Sequence, residues 1–137
     1  MPSQDDSRRQ FDVEALAERI YQFALRIIRL ADALPRHRLA ARVIGWQLVK
    51  AGTSIAFNYE EVRGAISHRE FVAKLGICYK ECRETVLALR FIQDGQLLPS
   101  SRMNAIIAEG KEIRAILGTS FKTARSKQKK RKSRQAE

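Results

Sequence analysis

From Val13 the chain repeats apolar residues at Val13, Leu16, Ile20, Phe23, Ile27, Leu30 and Leu34. The steps alternate between three and four, which keeps one stripe of a helix facing a neighbour. Asp12 reads as the N-cap, Phe11 before it is spaced to staple onto Leu16, and Pro35 ends the segment. A second helix is predicted from about Arg38 to Arg63. Ala40, Ile44, Leu48, Ala51, Ile55 and Tyr59 form its stripe, Val43, Trp46 and Phe57 lie outside it, and Gly64 is placed to close it. The third start is a capping box, Ser67-His68-Arg69-Glu70, in which the serine hydroxyl takes the N3 amide and the glutamate reaches back to the cap amide. Its stripe runs Phe71, Leu75, Cys78, Cys82, Thr85, Leu89, Ile92, and Asp94-Gly95 terminates it. The fourth segment starts after Pro99, with Ser100 or Ser101 as cap. It continues through Met103, Ile106, Gly110, Ile113 and Leu117 toward Phe121.

Four helices of roughly 18–26 residues with short connections predict an all-α fold, an antiparallel up-down-up-down four-helix bundle. The 137 residues suit one domain, and 45% apolar residues exclude wholesale disorder. Seven Gly and three Pro are too few for a turn-rich sandwich or barrel. No apolar run approaches the ~20 residues of a membrane span, and MPSQDDSRRQ lacks the apolar stretch of a signal peptide. Two cysteines cannot make a disulfide framework, so the expected setting is the cytoplasm, away from membranes.

The net charge of +11 is unevenly distributed. From residue 122 onward Lys122, Arg125, Lys127, Lys129, Lys130, Arg131, Lys132 and Arg134 stand against Glu137 alone. With no large apolar side chain after Phe121, this stretch is expected to be disordered in isolation. The chain therefore divides into a polar leader (1–10), a bundle (11–121) and a basic tail (122–137). Eight cations predict contact with the phosphates of RNA or DNA, steeply salt-dependent and indifferent to base sequence. Arg19, Arg26 and Arg36 are positioned to extend that surface onto the body.

The chain offers few parts for catalysis. It contains no Gly-rich phosphate loop, nucleophile–histidine arrangement or zinc-finger spacing, so no catalytic residue, metal or cofactor is expected. Cys78 and Cys82 read as small packing residues, since zinc would need two further ligands and the histidines, His37 and His68, fall near helix ends. Glu60, Glu61, Glu81 and Glu84 lack the Glu-x-x-His motifs of a di-iron bundle. Ionic pairing with Arg63, Lys80 and Arg83 is the simpler reading. Asn58, in an apolar-rich stretch, needs hydrogen-bond partners, which Glu81 or Glu84 could supply as a register-fixing polar layer.

Between Thr53 and Leu89 the chain resembles the bacterial four-helix-bundle family encoded in intervening sequences of 23S ribosomal RNA genes. Ser54-Ile55, Asn58-Tyr59-Glu60-Glu61, Gly64, Ser67, Phe71, Lys80-Glu81 and Arg83-Glu84-Thr85 carry the likeness. Phe57 stands where a small residue is usual, Val86-Leu87-Ala88 replaces a more aromatic stretch, and the basic tail is long. The resemblance implies a homopentameric ring without enzymatic activity, associated with ribosomal RNA through gene location. It also extends to the accessory variability protein of diversity-generating retroelements, which implies a reverse transcriptase as a further partner. Carried over, Ser54, Asn58, Glu61, Glu81 and Glu84 form the shared motif, which reads as structural. Independently, Trp46, Phe57, Tyr59, Ile77 and Phe91 are more apolar surface than a lone bundle can cover, so self-association is expected. The alternative to nucleic-acid binding is a scaffold for a protein partner.

Overall fold

The computed structural model describes the backbone of residues 4–136 and the side chains of residues 12–136. It consists of four helices, α1 (Gln4–Asp32), α2 (Leu39–Arg63), α3 (His68–Asp94) and α4 (Ser100–Ala136). Consecutive helices pack side by side through connections of a few residues, giving the antiparallel bundle that the periodicity predicts. The α2–α3 pair shares the broadest seam, α3–α4 and α1–α2 follow, and α1 meets α4 only thinly. No described helix is long and apolar enough to cross a membrane.

The stripes become the core. Ile20, Phe23, Ile27, Leu48, Ile55, Cys78, Cys82, Thr85, Leu89, Ile92, Met103, Ile113 and Leu117 are all essentially closed to solvent. On α2, however, Ala41 faces inward and Ala40 outward, because helix phase at this end follows Leu48 and Leu34. Tyr59 is buried rather than surplus. Its hydroxyl donates to the Val13 carbonyl at 3.3 Å, and burial pushes its pKa up to about 12.

Three end assignments differ from the sequence reading. Asp12 is not a cap: α1 already begins at Gln4, since nothing between Gln4 and Phe11 breaks a helix. The Phe11 staple lies outside the described side chains. The Ser67 hydroxyl accepts from the Glu70 amide at 3.0 Å as expected, but the Glu70 carboxylate takes the Ile66 amide at 3.3 Å instead of the cap amide. At α4 the helix starts with Ser100 itself, whose carbonyl accepts from Gln93 Nε2 at 3.1 Å.

The α3–α4 turn is a Schellman motif displaced by one residue from its glycine. The Gln96 amide donates to Gln93 O and the Leu97 amide to Ile92 O, at 3.2 and 3.0 Å. Gln96 therefore carries the left-handed conformation, φ 55°, while Gly95 is held by the Phe91 carbonyl, 2.6 Å from where a Cβ would stand. Substituting Gln96→Gly should remove the left-handed penalty and stabilise the chain by about 0.5–1 kcal/mol, part of the gain being lost to unfolded-chain freedom. Thermal unfolding checks this, and a lowered midpoint would contradict the motif.

Candidate nucleic-acid interface

The basic segment continues α4 as a helix as far as Ala136. After Gly118 no glycine or proline interrupts α4, and Lys, Arg, Gln and Ala are good helix formers. The apolar stripe also reaches further than Phe121: Ala124 is buried, with His68 Nε2 3.1 Å from its carbonyl, and Gln128 is half-covered. From Lys129 to Ala136 every side chain is exposed, so α4 carries its last turns without side-chain cover. The boundary at residue 121 thus falls inside a helix.

Lys122, Arg125, Lys127, Lys129, Lys130, Arg131, Lys132 and Arg134 are distributed around all sides of this extension, and among the described residues none is ion-paired. Cations near a helix C-terminus are favoured by the dipole. Against that, Lys127–Arg131 and Lys130–Arg134 repel at i,i+4, about 0.2–0.5 kcal/mol each. A polyanion laid along the helix removes this repulsion.

Of the body arginines, Arg19 is engaged by carboxylates and Arg36 lies far from the extension. Arg19 is held across the α1–α4 seam, its Nη2 2.6 Å from Glu112 Oε2 and its Nε 3.1 Å from Glu109 Oε2. The Arg19 hydrogen bond draws the Glu109 carboxyl below its ordinary pKa, and Arg26 on the same helix adds to the effect. Arg36 sits exposed in the α1–α2 connection, at the opposite end of the bundle from the extension. The cations that do gather include Lys80 and Arg83, which the sequence suggests as counter-charges to glutamates. Lys80, Arg83 and Arg90 of α3 line one open groove with Arg114 of α4. Their spacing of three and seven on α3 puts them on one face, a signal that could have been read.

The motif residues form a polar strip on α2 and α3. Ser54 Oγ donates to Lys50 O at 2.6 Å and Asn58 Nδ2 to Ser54 O at 2.9 Å, so Asn58 is satisfied within its own helix and does not need Glu81 or Glu84. Glu61 pairs with Lys74 of α3 at 2.6 Å, and Glu60 with Arg63 at 2.9 Å. Glu81 is pushed above the usual carboxylate range, mainly by burial and then by Glu84. Among the described residues no three His, Cys, Asp or Glu side chains cluster as metal ligands. Cys78 and Cys82 donate to the Ile55 and Gly110 carbonyls, and burial pushes both thiols up to about 12. The folded chain should therefore resist a thiol reagent such as Ellman's, and both cysteines should react at once in denaturant. Fast labelling of the native chain would contradict this.

A second surface is apolar. Tyr21, Leu25 and Ile28 of α1 and Thr53, Ala56 and Phe57 of α2 flank a groove on the outer face. Phe57 is 74% exposed and Trp46, further along α2, 64%. Phe91 and Ile77 of α3 are also open to solvent.

No curated protein matches the chain. Among solved structures, it is similar to a protein of unknown function from the S23 ribosomal protein family of Bacteroides thetaiotaomicron VPI-5482. The two share 26% identity and superpose with a TM-score of 0.71 over 80% of this chain and 97% of that one. The family model of the 23S rRNA-intervening sequence protein matches residues 15–119, the bundle without the basic extension. The four-helix fold and this match agree: the chain belongs to the 23S rRNA-intervening sequence protein family.

Proposed function

We propose that this chain is a non-enzymatic, self-associating four-helix bundle of the cytoplasm that binds nucleic acid through backbone phosphates, with the α4 extension as its principal contact. The observation that carries the reading is the extension itself, eight cations on an exposed helix with no carboxylate paired to them among the described residues. Cations so placed release condensed counterions when phosphates replace them. Base-specific readout is not expected, because Phe121 is the only aromatic side chain on this part of α4 and it leans on the bundle. The family's name directs attention to ribosomal RNA among the nucleic acids. The exposed Phe57 and Trp46 support closure of the apolar α1–α2 face by further copies, a five-fold ring being the arrangement that the family resemblance implies.

The test is a titration of a fluorescein-labelled 20-nucleotide RNA with the full chain between 50 and 300 mM salt, alongside sedimentation of the free protein. Affinity should fall steeply and linearly on logarithmic axes, with a protein species larger than one chain. Salt-indifferent binding, or none, overturns the nucleic-acid reading. If binding is absent while a protein partner such as a reverse transcriptase is retained, the scaffold reading takes its place.

A further inference from the structure

The α3–α4 seam carries an arrangement with no role in holding the bundle's charge balance. Arg83 Cζ lies over the Tyr79 ring, 5.8 Å from its centroid, the Tyr79 and Phe121 rings stack at 6.4 Å, and Arg125 Cζ lies over the Phe121 ring at 5.1 Å. Two guanidinium groups thus cap a pair of aromatic rings across two helices. Each ring lies over a glycine of the opposite helix: a Cβ on Gly118 would come within 3.0 Å of Tyr79, and one on Gly76 within 2.8 Å of Phe121. Any larger residue at either place would lift a ring and break the ladder.

Attraction to a ring face uses none of a guanidinium's N–H donors, and its planar fork matches phosphate oxygens two at a time. Stacking also fixes a side chain that would otherwise lose rotamer freedom on binding. Beside the ladder, two open grooves that meet at Lys80 make the seam a shallow trough. Its upper part holds Lys80, Arg83, Arg90 and Arg114 with Glu84 as the sole carboxylate. Its lower part begins again at Lys80 and runs past Phe121 to Gln128, where the exposed turns of α4 begin. Among the described residues none of these cations is ion-paired.

We infer that the α3–α4 trough is a preorganised cradle for a phosphodiester backbone, with Arg83 and Arg114 as its central contacts, and that it leads the strand onto the α4 extension. The inference rests on the nucleic-acid reading above and assigns it a second, body-side site. Arg83 and Arg125 grip phosphates while held by the rings, and Lys80, Arg90 and Arg114 supply further charge along the path. The helical rise places Lys80 and Arg90 about 15 Å apart along α3, room for several phosphates.

Two full-length double variants, each losing two charges, separate the sites: Arg83→Gln with Arg114→Gln in the trough, and Lys129→Gln with Lys130→Gln in the extension. Circular dichroism verifies that each folds. The probe is the labelled 20-nucleotide RNA, single-stranded and as a duplex, titrated against salt. The trough pair should flatten the single-strand slope by roughly 1.4, about a 25-fold loss at 0.1 M salt. Arg83→Lys should keep the slope and still bind several-fold more weakly, because lysine keeps the charge without the stacked plane. If the trough pair binds within two-fold of wild type while the extension pair weakens, the cradle is wrong and the extension reading stands. If the wild-type chain shows no salt-dependent binding, both fall together. Equal competition by polyglutamate of matched charge would make the trough a site for acidic protein and overturn the phosphodiester assignment. Loss confined to the duplex would do the same for a single-strand path.

Discussion

Replacing Phe23 with alanine should cost about 3–5 kcal/mol of folding stability, the largest effect expected of any single truncation in this bundle. Phe23 is 1% exposed, and its ring lies against the backbone of α4 at Gly110, 3.2 Å from where a Cβ would stand there. Few other residues tie α1 to α4, so the cavity left behind has little around it that can collapse inward. Gly110→Ala should also destabilise, by about 1–3 kcal/mol, since both the ring and Val86 Cγ2 crowd the new methyl group. In the double variant the alanine at 110 fills part of the space that the lost ring vacates. The two costs should then add to less than their sum, by 0.5 kcal/mol or more. Urea unfolding at fixed protein concentration measures all three, the concentration held constant because assembly would couple to stability. Strict additivity would show that ring and glycine do not share one packing site.

Neutralising the exposed end of α4, with Lys129, Lys130, Arg131 and Lys132 all changed to glutamine, should weaken RNA binding on the order of 10²–10³-fold at 0.1 M salt. Four lost phosphate contacts remove roughly 2.8 from the single-strand salt slope. The bundle should keep its unfolding midpoint, because these side chains are exposed and touch no part of the core. Helix content should rise slightly as the like-charge spacing disappears. A variant that keeps wild-type affinity and slope would remove the extension from the interface.

The core was legible in the sequence because it depends on spacing alone. Phe71, Leu75, Cys78, Cys82, Thr85, Leu89 and Ile92 share one face of any regular helix, whatever lies opposite. Surplus apolar residues were equally readable, and Trp46 and Phe57 do stand in solvent. Tyr59 misled because an aromatic at a helix end can turn either way, and the Val13 carbonyl settles it. Helix ends were harder. The α1 start and the continuation of α4 past Phe121 depend on the absence of a stop signal, which is weaker information than the presence of a cap. Charge was hardest. Arg19 looks like any surface arginine until α4 brings Glu109 and Glu112 to it, and Asn58 finds a carbonyl one turn back in place of a neighbour across the seam. The guanidinium–ring ladder joins residues more than thirty positions apart, so only the α3–α4 packing reveals it.

The thin contact between the first and last helices has a dynamic meaning. A barrel of four rods with three broad seams and one narrow one opens preferentially at the narrow one, and subglobal opening of that kind is far cheaper than complete unfolding. The amides of α1 should then trade their protons for deuterium ahead of those in the central α2–α3 pair. Because each rod leans chiefly on its immediate neighbour in the chain, few distant segments must meet before the structure gains stability, and such topologies assemble quickly. The same gap also makes the first helix the piece that two copies could most easily exchange.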